Sequence, residues 1–103
     1  MFGTVARMRL KPGAEPLLEA WMRPLTAPIV GLLSITAYRA REDRNVVWIS
    51  SVFESEEAYR INAASPEQHR RWQQLRSLLE EDIEWHDGEV IVHGAHGRTS
   101  AGA

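Results

Sequence analysis

Residues 52–88 read VFESEEAYRINAASPEQHRRWQQLRSLLEEDIEWHDG, and this stretch decides the fold. It starts as the end of a strand, passes through a short helix and a longer one, and finishes as the start of a last strand. Ser55 suits a helix N-cap, with Glu56 and Glu57 behind it placing negative charge where the helix dipole favours it. Ser65-Pro66-Glu67-Gln68 restarts the helix: Ser65 as the cap, Pro66 at the first helical position, Gln68 placed to close a capping box. Gln68, Trp72, Leu75 and Leu79 then recur at steps of four, three and four, which puts them on one helical face. A face of that kind has to lie on apolar surface.

Upstream, Phe2, Thr4, Ala6, Met8 and Leu10 alternate with Gly3, Val5, Arg7 and Arg9, the pattern of a half-buried strand. Lys11-Pro12-Gly13 breaks it. A helix is predicted over about Ala14 to Arg23, with Leu17, Leu18, Trp21, Met22 and Leu25 as its apolar side. Pro24 ends it, and Pro28 keeps the connection extended. A second strand is predicted from Val30 to Arg41, with Leu33, Ile35 and Ala37 facing one way and Leu32, Ser34, Thr36 and Tyr38 the other. Glu42-Asp43-Arg44-Asn45 is a polar turn, so the next strand, Val46 to Phe53, forms a hairpin with it. That strand is apolar on both faces: Val47, Ile49 and Phe53 on one, Val46, Trp48 and Val52 on the other. A last strand is predicted over Trp85 to His93, with Val90, Ile91 and Val92 apolar to both sides.

The order βαββαβ, with its second α split in two, is a ferredoxin-like α+β arrangement: a four-stranded antiparallel sheet with helices on one face. Its open face should be polar if water covers it. Strands three and four are apolar on both sides, so the expectation is a homodimer with two sheets packed face to face. Residues 1–93 form the domain in this reading, and residues 94–103, small and polar, form a flexible tail.

The 103 residues suffice for one domain. A net charge of −2 gives no reason to expect nucleic acid or an anionic membrane as partner. The absence of cysteine excludes disulfides, thiolate metal sites and a cysteine nucleophile. No stretch matches a signal peptide or a membrane span, and a cytoplasmic location is expected. No phosphate loop, dinucleotide fingerprint or Ser-His-Asp order occurs.

KPG after the first strand, VFESEEAY at the end of the third, then SPEQH and a closing WHDGEV together resemble the antibiotic biosynthesis monooxygenase family over about Met1 to His93. The resemblance implies a dimeric α+β barrel. It also implies a function among cofactor-independent oxygenases of phenols and quinols, haem-degrading enzymes, or members without a reaction. In the haem branch a Trp and, about three turns later, an iron-ligating His occupy this helical segment. Those positions fall here near Asn62 and Trp72, with His69 one turn early, so the resemblance points to the cofactor-free oxygenases.

Asn62, Trp72 and His69 are accordingly the candidate catalytic residues, and Tyr59, Leu75 and Trp48 the candidate substrate-binding ones. Asn62 would hold a substrate oxygen, Trp72 stack or donate, and His69 serve as base, its ordinary pKa near 6.5 suiting phenol deprotonation. Each has a plainer reading: Trp72 as core packing, Asn62 as a partner for backbone groups left open at a helix end, His69 as a boundary residue. His86 and Asp87 are expected at a bulge or turn, and no metal or cofactor is expected. The competing reading is a dimeric module that binds a small apolar ligand without acting on it, and a less favoured one is haem binding or degradation. An open space between helices and sheet would favour a ligand.

Overall fold

The structure, a computed structural model, describes residues 1–23 and 29–94. Its elements are β1 (Phe2–Arg9), α1 (Glu15–Met22), β2 (Leu32–Arg39), β3 (Val46–Phe53), α2 (Glu56–Ala63), α3 (Pro66–Arg76) and β4 (Glu84–Glu89). The sheet order is β2-β3-β1-β4 with all neighbours antiparallel. This is the ferredoxin-like α+β fold expected from the pattern. Pro24, Leu25 and Pro28 lie outside the described residues, as do residues 95–103.

The alternation in β1 is realised as read. Phe2, Thr4, Ala6 and Met8 are buried under the helices, while Val5 is exposed on the other face. Register carries this parity across the sheet: Ala6 pairs with Ile49 and Met8 with Val47, so both join the same buried layer. That layer packs on Leu18 of α1 and Leu75 of α3, with Leu10, Leu79 and Ile83 at its end. Met8, Leu10 and Leu79 are each only 1% exposed, and truncating such a side chain to alanine costs about 2–5 kcal/mol. Among the described residues two glycines take left-handed backbone: Gly13, in the turn after β1, and Gly31, ahead of β2.

Both serine caps form. Ser55 Oγ accepts from Ala58 N at 3.0 Å, and Ser65 Oγ accepts from Gln68 N at 3.1 Å. The capping box stays half made, because Ser65 N–H goes to the Asn62 carbonyl instead of the Gln68 side chain. In the β2–β3 turn, Asp43 Oδ1 accepts from Asn45 N at 3.0 Å and Oδ2 from Arg9 Nη1 at 2.7 Å. Arg9 and Arg39 find partners in their own chain, Asp43 and Glu15 respectively.

Four local expectations are corrected. An irregularity between Leu32 and Ser34 lets Leu32 pair with Phe53 while Ile35 pairs with Ser51. Leu32 therefore faces the helices together with Ile35, and Leu33, expected there, is 46% exposed. Leu17 is exposed and only Leu18 of α1 is buried. The α3 helix ends at Arg76, and Leu79 is buried through a bridge to Leu10 beyond it. Finally, β4 is short. Val90 N–H still reaches the Met1 carbonyl, but Ile91 and Val92 project past the sheet at 94% and 85% exposure. The open face of β4 itself is Glu84, His86 and Gly88, so the double-sided apolar pattern holds for β3 alone.

Candidate functional site: a cavity between helices and sheet

The large residues of the core fill only one end of the space under the helices. At the other end the sheet offers Thr4, Ala6 and Ser51, all short, and the facing helix offers Ala63. A cavity of about 220 Å3 remains between them. Phe53 and Tyr59 line it as part of an aromatic cluster with Phe2, the Phe2 and Phe53 ring centroids lying 4.9 and 5.3 Å from the tyrosine. Trp72 at 37% and Trp85 at 48% exposure, together with exposed His69, mark the side that meets solvent.

Helix geometry brings the polar groups in. Tyr59, Asn62 and Ala63 are spaced three and four apart on α2 and all face the cavity; Gln68, His69, Trp72 and Leu75 do so from α3. The three candidate catalytic residues, Asn62, His69 and Trp72, are thus gathered around one space. Tyr59 and Leu75 line it as well. Trp48 does not. It pairs with Arg7 and Tyr38 on the opposite face of the sheet, where the Arg7 guanidinium sits 5.8 Å from its ring centroid. Strand parity separates it from the cavity.

The break between α2 and α3 leaves Asn62 unoccupied. Ala64 N–H reaches the Arg60 carbonyl and Ser65 N–H the Asn62 carbonyl, so the backbone there is satisfied without a side chain. The Asn62 amide makes no hydrogen bond among the described residues, and it is half-buried beside the cavity. Trp72 is a wall of the cavity, too exposed to be core. His69 likewise has no side-chain partner among the described residues.

Trp21 and Trp85 line the cavity too, and neither was among the candidate site residues. Trp21 belongs to α1, and its Nε1 donates to the Arg71 carbonyl at 3.0 Å, tying α1 to α3. Trp85 reaches the site because it pairs with Ala6 in β4. Its position follows from the parity of β1 once the β1–β4 register is known. Asp87, expected in a bulge, is a regular member of β4 opposite Thr4, and it accepts the Thr4 hydroxyl at 2.6 Å. Burial, and next the negative charge of Asp87, push the Tyr59 phenol above its ordinary pKa, partly offset by the Thr4 hydroxyl. Among the described residues, no group of three or more His, Asp or Glu is placed to hold a metal. No helix there is long and apolar enough to cross a membrane.

A single ferredoxin-like sheet with an apolar, amide-bearing cavity under its helices defines the class of α+β protein to which the chain belongs. Within that class, residues 1–75 match the family model for antibiotic biosynthesis monooxygenase, and the chain belongs to this family. Solved structures agree. A Chloroflexus aurantiacus protein named after antibiotic biosynthesis monooxygenase superposes with a TM-score of 0.75 at 25% identity, covering 93% of this chain and 96% of its own. SnoaB of Streptomyces nogalater, a cofactor-independent oxygenase solved as an asparagine-to-alanine variant, gives 0.77 at 19% identity, covering 89% and 94%. A conserved protein of Methanosarcina mazei gives 0.77 at 16% identity, covering 84% and 89%. No curated protein matches the sequence.

Proposed function

We propose that the protein is a monooxygenase that works without metal or flavin on a flat phenolic or quinol-like molecule held in the 220 Å3 cavity. The observation that carries this reading is the unoccupied Asn62 amide beside a mostly apolar space, in a chain of the monooxygenase family. A few polar groups in an apolar pocket are what orient a ligand. SnoaB, similar in fold, gives a precedent for oxygenation without a cofactor. In such chemistry the electron-rich ring itself reduces O2. One oxygen atom ends as a ring carbonyl, and the other leaves as water with two substrate hydrogens. The protein supplies a dry, oriented site. Asn62 would hold the developing oxyanion, Trp72 would stack or donate, His69 at the mouth would take a proton, and Tyr59 and Leu75 would line the ring.

The cavity is smaller than the roughly 300–1,000 Å3 of drug-sized sites, so a one- or two-ring substrate suits it. The test is O2 uptake by metal-free protein with hydroquinones and naphthols, anthrones marking the size limit. One O2 consumed per ring oxidised supports the reading. No uptake, with no thermal shift from any of these compounds, leaves a plain dimeric module. The solvent exposure of His69, held by no partner among the described residues, favours that second reading, since a base needs orienting. The haem reading has its own arm: a sharp Soret band abolished by His69→Ala would make His69 an axial ligand.

The assembly proposed is a homodimer through the open sheet faces. Trp48 and Val52, both half-buried, Val5 at 37% exposure and Tyr38 at 56% form its apolar part. Ile91 and Val92 extend it past β4.

A further inference from the structure

Ser65 and Gln68 leave their capping box half made, and this frees a side chain at the cavity. The Ser65 N–H is taken by the Asn62 carbonyl at 3.0 Å, and Ser65 Oγ accepts only the backbone N–H of Gln68. The Gln68 amide is therefore not drawn back to the cap. It stands half-buried at the cavity without a hydrogen bond among the described residues, as Asn62 does before the helix break.

The opposite wall holds a third such group. Ser51 falls in the row of β3 that faces the helices with Ile49 and Phe53, and it lines the cavity. Its cross-strand neighbour Thr4 has given its proton to Asp87 at 2.6 Å, whereas the Ser51 hydroxyl has no partner among the described residues. No fully buried polar side-chain atom among the described residues lacks a partner. The Ser51 hydroxyl and the two amides, half-buried and unpartnered, therefore open onto accessible space, and the space they share is the cavity. Among the described residues no Asp, Glu, Lys or Arg lines it, so a charged ligand group would be buried there without a counter-charge.

We propose that the cavity has two polar poles, the Asn62–Gln68 amide pair on the helix wall and Ser51 on the sheet wall, and that it selects uncharged flat ligands with a hydroxyl at each end. A hydroxyl both donates and accepts, and so does each amide. One amide takes the ligand proton through its carbonyl while the other gives an N–H to the same oxygen, so the helix pole satisfies one hydroxyl completely. Ser51 meets the other. Gln68 and Ser51 both touch the ligand, and Ser51 is the residue that tells one hydroxyl from two. This rests on the reading of the cavity as a site for a hydroxylated ring, and it assigns the second oxygen, which the Asn62 contact leaves open.

The experiment is calorimetric titration under nitrogen with 2-naphthol, which has one hydroxyl, and 2,6-dihydroxynaphthalene, which has one at each end. In the wild type the diol should bind about three- to tenfold tighter, the worth of one neutral hydrogen bond. Ser51→Ala should bring the two probes towards parity and leave 2-naphthol nearly unchanged. Gln68→Met, close in shape and without the amide, should weaken both probes alike and keep the preference for the diol. Ser51→Cys, which keeps the volume, replaces the alanine variant if that one does not fold. A diol preference that survives both Ser51 variants overturns the proposal, as does unchanged 2-naphthol binding in Gln68→Met. Failure of the wild type to bind either probe overturns it too. Oxygen uptake is scored separately. A Ser51-dependent preference without uptake keeps the two poles and sinks the oxygenase, and uptake with a Ser51-independent preference does the reverse.

Discussion

Asn62 is the residue on which the candidate chemistry turns. Its amide has no other duty among the described residues, so Asn62→Ala should leave the melting temperature nearly unchanged. Turnover or ligand affinity should fall by the roughly 1–3 kcal/mol of an oriented hydrogen bond. A large loss of stability would show that it serves the helix break instead. Asp43 gives a pH prediction. Its hydrogen bond from Arg9, and next that from Asn45 N–H, hold its carboxyl below the usual carboxylate range. A depressed folded pKa stabilises the folded state above the unfolded value of about 3.9 and loses that contribution as pH falls through the folded value. Urea midpoints of wild type and Asp43→Asn should therefore differ at neutral pH and converge in acid. Gln68, Trp72 and Leu75, which face the cavity from α3, were legible from helical spacing, whereas Tyr59, Asn62 and His69 came from the family resemblance. Trp85, Asp87 and Thr4 were not recognised as a set, because cross-strand register joins residues more than eighty positions apart and no local pattern encodes it.

At the scale of elements, Gly31 shows how a strand and a helix are fitted together. Its φ is +82°, and a Cβ there would lie 2.6 Å from the Ala58 Cβ of α2. Gly13 has a similar φ of +81° but nothing within 4 Å of its would-be Cβ. Gly13→Ala should therefore cost only the left-handed backbone penalty of about 1–2 kcal/mol. Gly31→Ala should cost that plus displacement of α2, read as a clearly lower melting temperature than in Gly13→Ala. Equal melting temperatures would mean that α2 yields freely. Helix starts were legible because Ser55, Ser65 and Pro66 act locally. The length of β4 was misread: Val90-Ile91-Val92 has strand composition, but the ladder ends at Glu89 opposite Phe2, followed by the Val90 N–H bond to the Met1 carbonyl. The face of Leu32 was misread for a related reason, since an irregular pairing shifts parity without a sequence mark.

At the scale of the molecule, the open face of the sheet is where a second copy would add its own. Val52→Glu would bury a lone charge in that contact. Wild-type protein at micromolar concentration should sediment at twice 11.7 kDa, and the variant at the monomer mass with its circular dichroism retained. A wild-type monomer would sink the dimer. The fold class followed from element order and alternation, because both act over few residues. Whether a second copy covers the open face did not follow, since the apolar pattern proved one-stranded and β4 presents Glu84 and His86 there.

The four tryptophans are divided by the sheet. Trp21, Trp72 and Trp85 line the cavity, and Trp48 lies beneath Arg7 on the other side. The molecule thus carries two sets of intrinsic fluorophores, one for each of its proposed contacts. An aromatic guest in the cavity should quench the three indoles around it and leave the fourth emitting, whereas dilution through the assembly equilibrium should shift the emission of Trp48 alone. In a Trp48→Phe background the optical signal becomes a pure readout of occupancy, so filling and pairing can be followed separately in one cuvette without an added dye.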